Sequence, residues 1–200
     1  MDQKALAAID TKMMERCIEL SRAATRQGEF PFACVIARNG QVIAEATNRV
    51  ARDRDITRHA ELLAISEAQR AIGKTKLRNC SLYTNVEPCP MCSFPIREAR
   101  ISRVVFGIKS PVMGGFSRWN VLRDCELSNV MPEAFSEPPE VVAGFLAHEA
   151  ERVWIEWNPL IWKIIKHRGC FAGPEESRGH WHKAPRQLSF VRSLLASLYR

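Results

Sequence analysis

Between Ser81 and Ile108 the chain carries the pattern that limits its fold most. Ser81-Leu82-Tyr83-Thr84-Asn85-Val86 reads as a strand, Cys89 to about Ala99 as a helix, and Arg103-Val104-Val105-Phe106-Gly107-Ile108 as a second strand. Strand, helix and strand at this spacing imply a parallel pair joined by a crossover, because parallel neighbours cannot be connected by a tight turn. Upstream, Phe32 to Ala37 and Val42 to Ala46 flank Asn39-Gly40. That dipeptide is the strongest short hairpin signal, since both residues tolerate positive φ. An antiparallel hairpin beside a parallel crossover requires a mixed sheet with helices on its faces: an α/β fold.

The remaining elements are read from periodicity and punctuation. Thr11 to Gln27 has one apolar stripe, with Asp10 or Thr11 as its cap and Gly28 as its stop. The polar segment Asn48 to Thr57 reads as a loop, and Asp55-Ile56-Thr57 can cap a helix that begins near His59 and ends at Gly73. Pro95 should shift or kink the helix after Cys89 beyond its first turn. Gly114 to Asn120 reads as a flexible stretch with two aromatics, and 131–139 as a long surface connection. Val141 to Trp157 is expected to be a helix, followed by another from Leu160 to His167. Trp154, Trp157 and Trp162 are placed on a packed helix face.

Two short clusters carry the chemistry: His59-Ala60-Glu61 and Pro88-Cys89-Pro90-Met91-Cys92. Cys89 and Cys92 share one helix face. Pro90 suits the first helical position and so puts Cys89 at the N-cap, where the helix dipole favours the thiolate that zinc needs. His59 and Glu61 lie on roughly opposite sides of a helix and cannot both be ligands from mid-helix. At a helix start, His59 can bind while Glu61 reaches past the metal. His59, Cys89 and Cys92 would leave a tetrahedral zinc with a fourth position for water, whose pKa falls to about 7. A lone C-x-x-C could equally be a redox pair or half of a structural zinc knuckle; His59 and Glu61 tip the balance toward a catalytic site.

Charge bears on the partners. The chain carries 29 Lys and Arg against 22 Asp and Glu, but 166–200 alone holds seven basic and two acidic residues. The rest is close to neutral, so the excess is a tail feature that could bind RNA or be merely solvated. The start has no apolar run behind a basic head, and no stretch approaches the length of a membrane span. Seven cysteines, an odd number, fit reduced thiols in the cytoplasm better than a disulfide framework. Cys17, Cys34, Cys80, Cys125 and Cys170 are read as small packing residues.

His59-Ala60-Glu61, Glu87-Pro88-Cys89-Pro90-Met91-Cys92 and Arg103-Val104-Val105-Phe106-Gly107 together resemble the cytidine-deaminase-like superfamily, whose signature is H-x-E followed by P-C-x-x-C. The similarity runs from about Glu29 to Ser110 and points to the branch of bacterial tRNA adenosine deaminases, guanine deaminases and fungal-type cytosine deaminases. It implies a three-layer α/β/α sandwich around a five-stranded mixed sheet, zinc on His59, Cys89 and Cys92, and assembly as a homodimer or larger oligomer. It also implies hydrolytic deamination by a zinc-bound hydroxide, with Glu61 as proton shuttle. Asn48 matches an asparagine that contacts base or sugar, and Phe32 a ring-packing phenylalanine. Trp119 is a further candidate for covering a planar base. Relatives usually carry Pro-Phe-Gly-Ala where this chain has Pro31-Phe32-Ala33-Cys34, and Ala at Arg58.

The expected organisation is a deaminase domain over 1–168, with a core at 29–110 and C-terminal helices at 141–168. A basic tail over 169–200 is expected to be disordered, with a marginal helix near Gln187 to Tyr199. The expected activity is deamination of a small nucleobase or nucleoside, with free guanine the leading substrate. A tRNA adenosine is the alternative, and a zinc-stabilised scaffold without catalysis a third reading. No membrane partner is expected.

Overall fold

Asn39 and Gly40 take φ values of 52° and 76°, and they turn β1 (Ala33–Arg38) back onto β2 (Gln41–Thr47). The hairpin is antiparallel, with a register shift at Ile36/Ala37. The computed structural model describes residues 2–173. β3 (Cys80–Val86) and β4 (Arg103–Ile108) follow, with β5 (Glu140–Ala143) last, and the sheet order is β2-β1-β3-β4-β5. β1 pairs antiparallel with β3, while β3–β4 and β4–β5 are parallel. The expected five-stranded mixed sheet is present.

The helices are α1 (Gln3–Arg26), α2 (Val50–Asp53), α3 (Ala60–Ile72), α4 (Pro90–Glu98), α5 (Cys125–Val130), α6 (Ala147–Trp157) and α7 (Pro159–His167). Alternate strand residues face opposite layers, as the two-residue period of a strand demands. Ala33, Val35, Ala37, Tyr83 and Val105 join Met13, Met14, Cys17 and Ile18 of α1 and Val153 and Trp154 of α6. Cys34, Ile36, Leu82, Val104 and Phe106 instead meet Ala60, Ala64 and Ala68 of α3 and Ile96 of α4. Small residues on α3 let that helix lie close to the sheet.

Trp154 is fully buried among Phe30, Phe32, Trp157, Trp162 and Phe171, so the tryptophans form the packed face that their spacing predicts. Phe171 joins this core, and Ala172 N donates to Lys109 O at 3.0 Å. The packed part therefore runs at least to Gly173, beyond the expected boundary at 168; the remainder of the tail and its marginal helix lie outside the described residues.

Several local expectations are corrected. Val141 to Trp157 is not one helix: β5 occupies its start, and α6 begins only after Gly144 and Leu146, both with positive φ. Val141 and Val142 pair with Val104 and Val105, and ladder bonds to the open edge of β4 override the helical pattern. α1 starts a full two turns before Thr11, capped by Asp2. Asp10 is then buried mid-helix, accepting from Tyr83 Oη at 2.9 Å and pairing with Arg103 at 2.5 Å. A short helix, α2, interrupts the loop after Asn48. α4 spans the expected stretch, with Pro95 inside it. Cys125 is exposed, unlike Cys17, Cys34 and Cys80, which are buried. No described helix is long and apolar enough to cross a membrane.

Candidate metal centre

The pairing registers fix which loops meet. Ala33 opposes Thr47 and Cys34 opposes Thr84, so the start of β1 lies beside the ends of β2 and β3. Asn48 follows β2 at that end and Cys89 follows β3. His59 joins them because Arg49 N donates to Arg58 O at 3.0 Å. Asn85 locks the start of β1, accepting from Ala33 N and donating to Pro31 O.

His59 is the N-cap of α3 and Cys89 the N-cap of α4, both with extended backbone. Two helix N-termini therefore point their partial positive charge at one place. Pro90 occupies the start of α4, and Cys92 lies one turn on, its N–H donating to Cys89 O. His59 Nδ1 lies 3.6 Å from Cys89 Sγ and 3.5 Å from Cys92 Sγ, and the sulfurs are 3.6 Å apart. Zinc with Zn–S bonds of about 2.3 Å and Zn–N of about 2.05 Å, held tetrahedrally, requires edges of about 3.75 Å for S···S and about 3.55 Å for S···N. The triangle fits within about 0.2 Å on every edge, and the donor set of one imidazole and two sulfurs suits zinc. Among the described residues this is the one His/Cys/Asp/Glu group so converged.

Glu61 stands in the first turn of α3, 7% exposed, with Oε2 3.6 Å from Cys92 Sγ. Burial raises its pKa above the usual carboxylate range, and the charge on Cys89 adds to this against the opposing effect of His59. The hydrogen bond from Cys92 pulls the Cys89 thiol down to about 4 against the cost of burial, with His59 assisting. Cys92 moves the other way, first through that same hydrogen bond and then through burial. His59 is raised, chiefly by its hydrogen bond with Cys89. Cys89 is thus a ready thiolate, as the helix-start geometry predicts.

The other candidates separate. Asn48 is 4% exposed and its Nδ2 donates to Glu29 Oε2 at 2.8 Å. Trp119 is 59% exposed, with the Arg118 guanidinium 5.8 Å from its ring centre. Its loop is held to the metal helix, since Gly115 N donates to Pro88 O at 2.8 Å. Phe32 is not brought to the metal cluster: it packs edge-on against Trp154 at 5.0 Å and Phe171 at 6.2 Å, in the layer of α1 and α6. Arg58 pairs with Asp53 and Asp55 on the outer side.

Two carboxylates escaped the sequence reading as functional supports. Glu87, buried, accepts from the N–H groups of Ser110, Phe116 and Ser117 and from Ser117 Oγ, at 2.6–3.0 Å. It pins the stretch expected to be flexible. Gly114 and Gly115 allow that approach: a Cβ on Gly114 would overlap Glu87 Oε1 and one on Gly115 would overlap Ser93 Oγ. Glu29 is the other, and only its place before Pro31 could have hinted at it.

The comparisons with known proteins agree with this geometry. A tRNA-specific adenosine deaminase of Bacillus subtilis is 36% identical over 142 residues, covering 70% of this chain and 83% of its own. A probable cytosine deaminase of Schizosaccharomyces pombe is 32% identical over 186 residues, covering 86% of this chain and 99% of its own. The solved guanine deaminase from Nitrosomonas europaea superposes with a TM-score of 0.60 at 26% identity, covering 74% of this chain and 83% of its own. Residues 7–108, which hold His59, Glu61, Cys89 and Cys92, match the family described as the cytidine and deoxycytidylate deaminase zinc-binding region. With half the chain matched and both halves of the site inside the match, this protein belongs to that zinc-dependent deaminase family.

Proposed function

We propose that the chain deaminates a small free nucleobase, with guanine its principal substrate. The observation that carries the chemistry is a buried carboxyl, Glu61, beside a ligand triangle of zinc dimensions. Zinc held by His59, Cys89 and Cys92 supplies a Lewis acid and an acidified water. Glu61 takes a proton from the attacking water and delivers it to the ring nitrogen next to the aminated carbon. The same carboxyl then takes the proton of the newly added hydroxyl and passes it to the amino group, so that the C–N bond breaks, ammonia leaves and the carbon becomes a carbonyl. Burial suits Glu61 to this shuttle, because it raises the carboxyl's proton affinity above that of an exposed glutamate. Asn48 and Trp119 are the proposed base contacts, while Phe32 serves the aromatic core.

Three observations support a small substrate. Outside the basic tail the chain is nearly neutral. The Schizosaccharomyces relative aligns over almost its whole length, whereas the Bacillus tRNA enzyme aligns over less of this chain. The Nitrosomonas guanine deaminase favours guanine within that class. A tRNA adenosine is the second reading, favoured by the Bacillus relative and by the exposed Arg52 and Arg54 in the segment that follows Asn48. We further propose a homodimer, using the exposed Met91 and Phe94 of α4, and action in the cytoplasm, which the seven free cysteines suit. Sedimentation of the zinc-loaded protein at the mass of one chain would count against the dimer.

The test is ammonia release by zinc-loaded protein over guanine, adenine, cytosine and their nucleosides, with Glu61→Gln as blank. Guanine turnover above the blank supports the reading. Silence on all free bases with inosine formed in tRNA overturns it in favour of RNA.

A further inference from the structure

Glu29 is 1% exposed and takes no part in the metal site. Its Oε2 accepts from Asn48 Nδ2 at 2.8 Å and Ala51 N at 3.3 Å, and its Oε1 accepts from Arg52 N at 2.7 Å. A carboxylate offers only acceptors, so the Asn48 atom facing it has to be the nitrogen, and the amide cannot be turned over. Asn48 is itself pinned by its own N–H, which donates to Phe32 O, and by Arg49 N on Arg58 O next to His59. Among the described residues nothing donates to Asn48 Oδ1, yet that oxygen is not among the sealed, partnerless polar atoms. Oδ1 and the second Nδ2–H therefore have no partner among the described residues.

We propose that Glu29 is a positioning residue that fixes the sense of the Asn48 amide and thereby selects a base edge presenting an N–H next to a carbonyl. Guanine has such an edge in N1–H and O6, beside the aminated carbon C2, whereas N3 on the other side of C2 is left to Glu61. A turned amide would set donor against donor and acceptor against acceptor on this edge. A site built around a polar edge rejects the analogue lacking it strongly, because its own buried groups are then left unpaired. This inference rests on the proposed free-base reading for the identity of the ligand, but the orientation of the amide does not depend on it.

The test compares guanine with 2-aminopurine, which keeps the amino group at C2 and lacks both N1–H and O6. Glu29→Gln still offers an acceptor to Arg52 N but gives Asn48 an amide that tolerates either sense. The zinc-loaded variant should lose about tenfold or more in kcat/KM for guanine, with a much smaller loss for 2-aminopurine. In an Asn48→Ala background the same change should add nothing further, since residues acting through one another are not additive. Equal losses on the two bases, or additive losses, would show that Glu29 merely supports α2 and would overturn the proposal. If Glu29→Gln does not fold, the wild-type protein decides by 15N NMR. One Asn48 side-chain proton should be protected from exchange and its twin not, and equal exchange of both overturns the proposal. Wild-type protein that ignores guanine but shows this asymmetry sinks the substrate reading alone.

Discussion

At the scale of single residues, Glu61 and the three proposed zinc ligands have roles that substitution can separate. Glu61→Gln keeps the shape of the side chain and removes its proton. Ammonia release should fall by about 10²–10⁴-fold, the usual worth of a positioned general acid–base, while zinc content by atomic emission stays at the wild-type level. Cys89→Ala should instead lose the metal together with all activity, because two protein ligands cannot hold catalytic zinc. Retention of zinc by that variant would mean another donor takes part. These four residues were legible in the sequence because ligand chemistry constrains both type and spacing. Asn48 and Phe32 were named from likeness to relatives and Trp119 as an aromatic able to cover a planar base; Phe32 belongs instead to an aromatic cluster that only the arrival of Trp154, far along the chain, creates. Glu29 was illegible for a related reason, since its partners at Asn48, Ala51 and Arg52 leave no local pattern.

At the scale of elements, α4 is held from both ends. Its first turn carries the cysteines, and near its last turn the buried Arg97 donates to Val121 O, Asp124 O, Ser128 Oγ and Ser136 O at 2.7–3.2 Å. Arg97 thus fastens the segment between β4 and β5 to the metal helix. Arg97→Ala should cost more than about 2 kcal/mol in denaturant unfolding, because several buried carbonyls lose their donor at once. Arg97→Lys should recover little, as one ammonium cannot match a fork of donors. Gly114→Ala tests the other tether: its Cβ would displace the Glu87 carboxyl, so proteolysis between Ser110 and Arg118 should quicken even where zinc is retained. β5 shows why element type was harder to read than element existence. Its four residues carry too little pattern to resist being merged with α6, and only the open edge of β4 decides the matter.

At the scale of the whole molecule, one sheet separates two cores of different character: aliphatic and small-residue packing under the metal helices, and an aromatic cluster around Trp154 on the other side. Trp154→Ala should destabilise the protein by about 3–5 kcal/mol, read as a lowered melting temperature, with wild-type zinc stoichiometry in whatever remains folded at low temperature. The architecture was legible because the hairpin turn and the parallel crossover leave few ways to assemble a sheet; the packing of its far face was not, since that depends on residues more than a hundred positions apart. The same sheet order has a consequence for how the protein is made. Every ligand residue leaves the ribosome before β4 does, yet β4 is buried along its whole length and its second neighbour, β5, begins only at Glu140. At 5–20 residues per second, synthesis exposes a bare hydrophobic strand edge for roughly 2–6 s, the interval in which nascent chains could pair with one another instead.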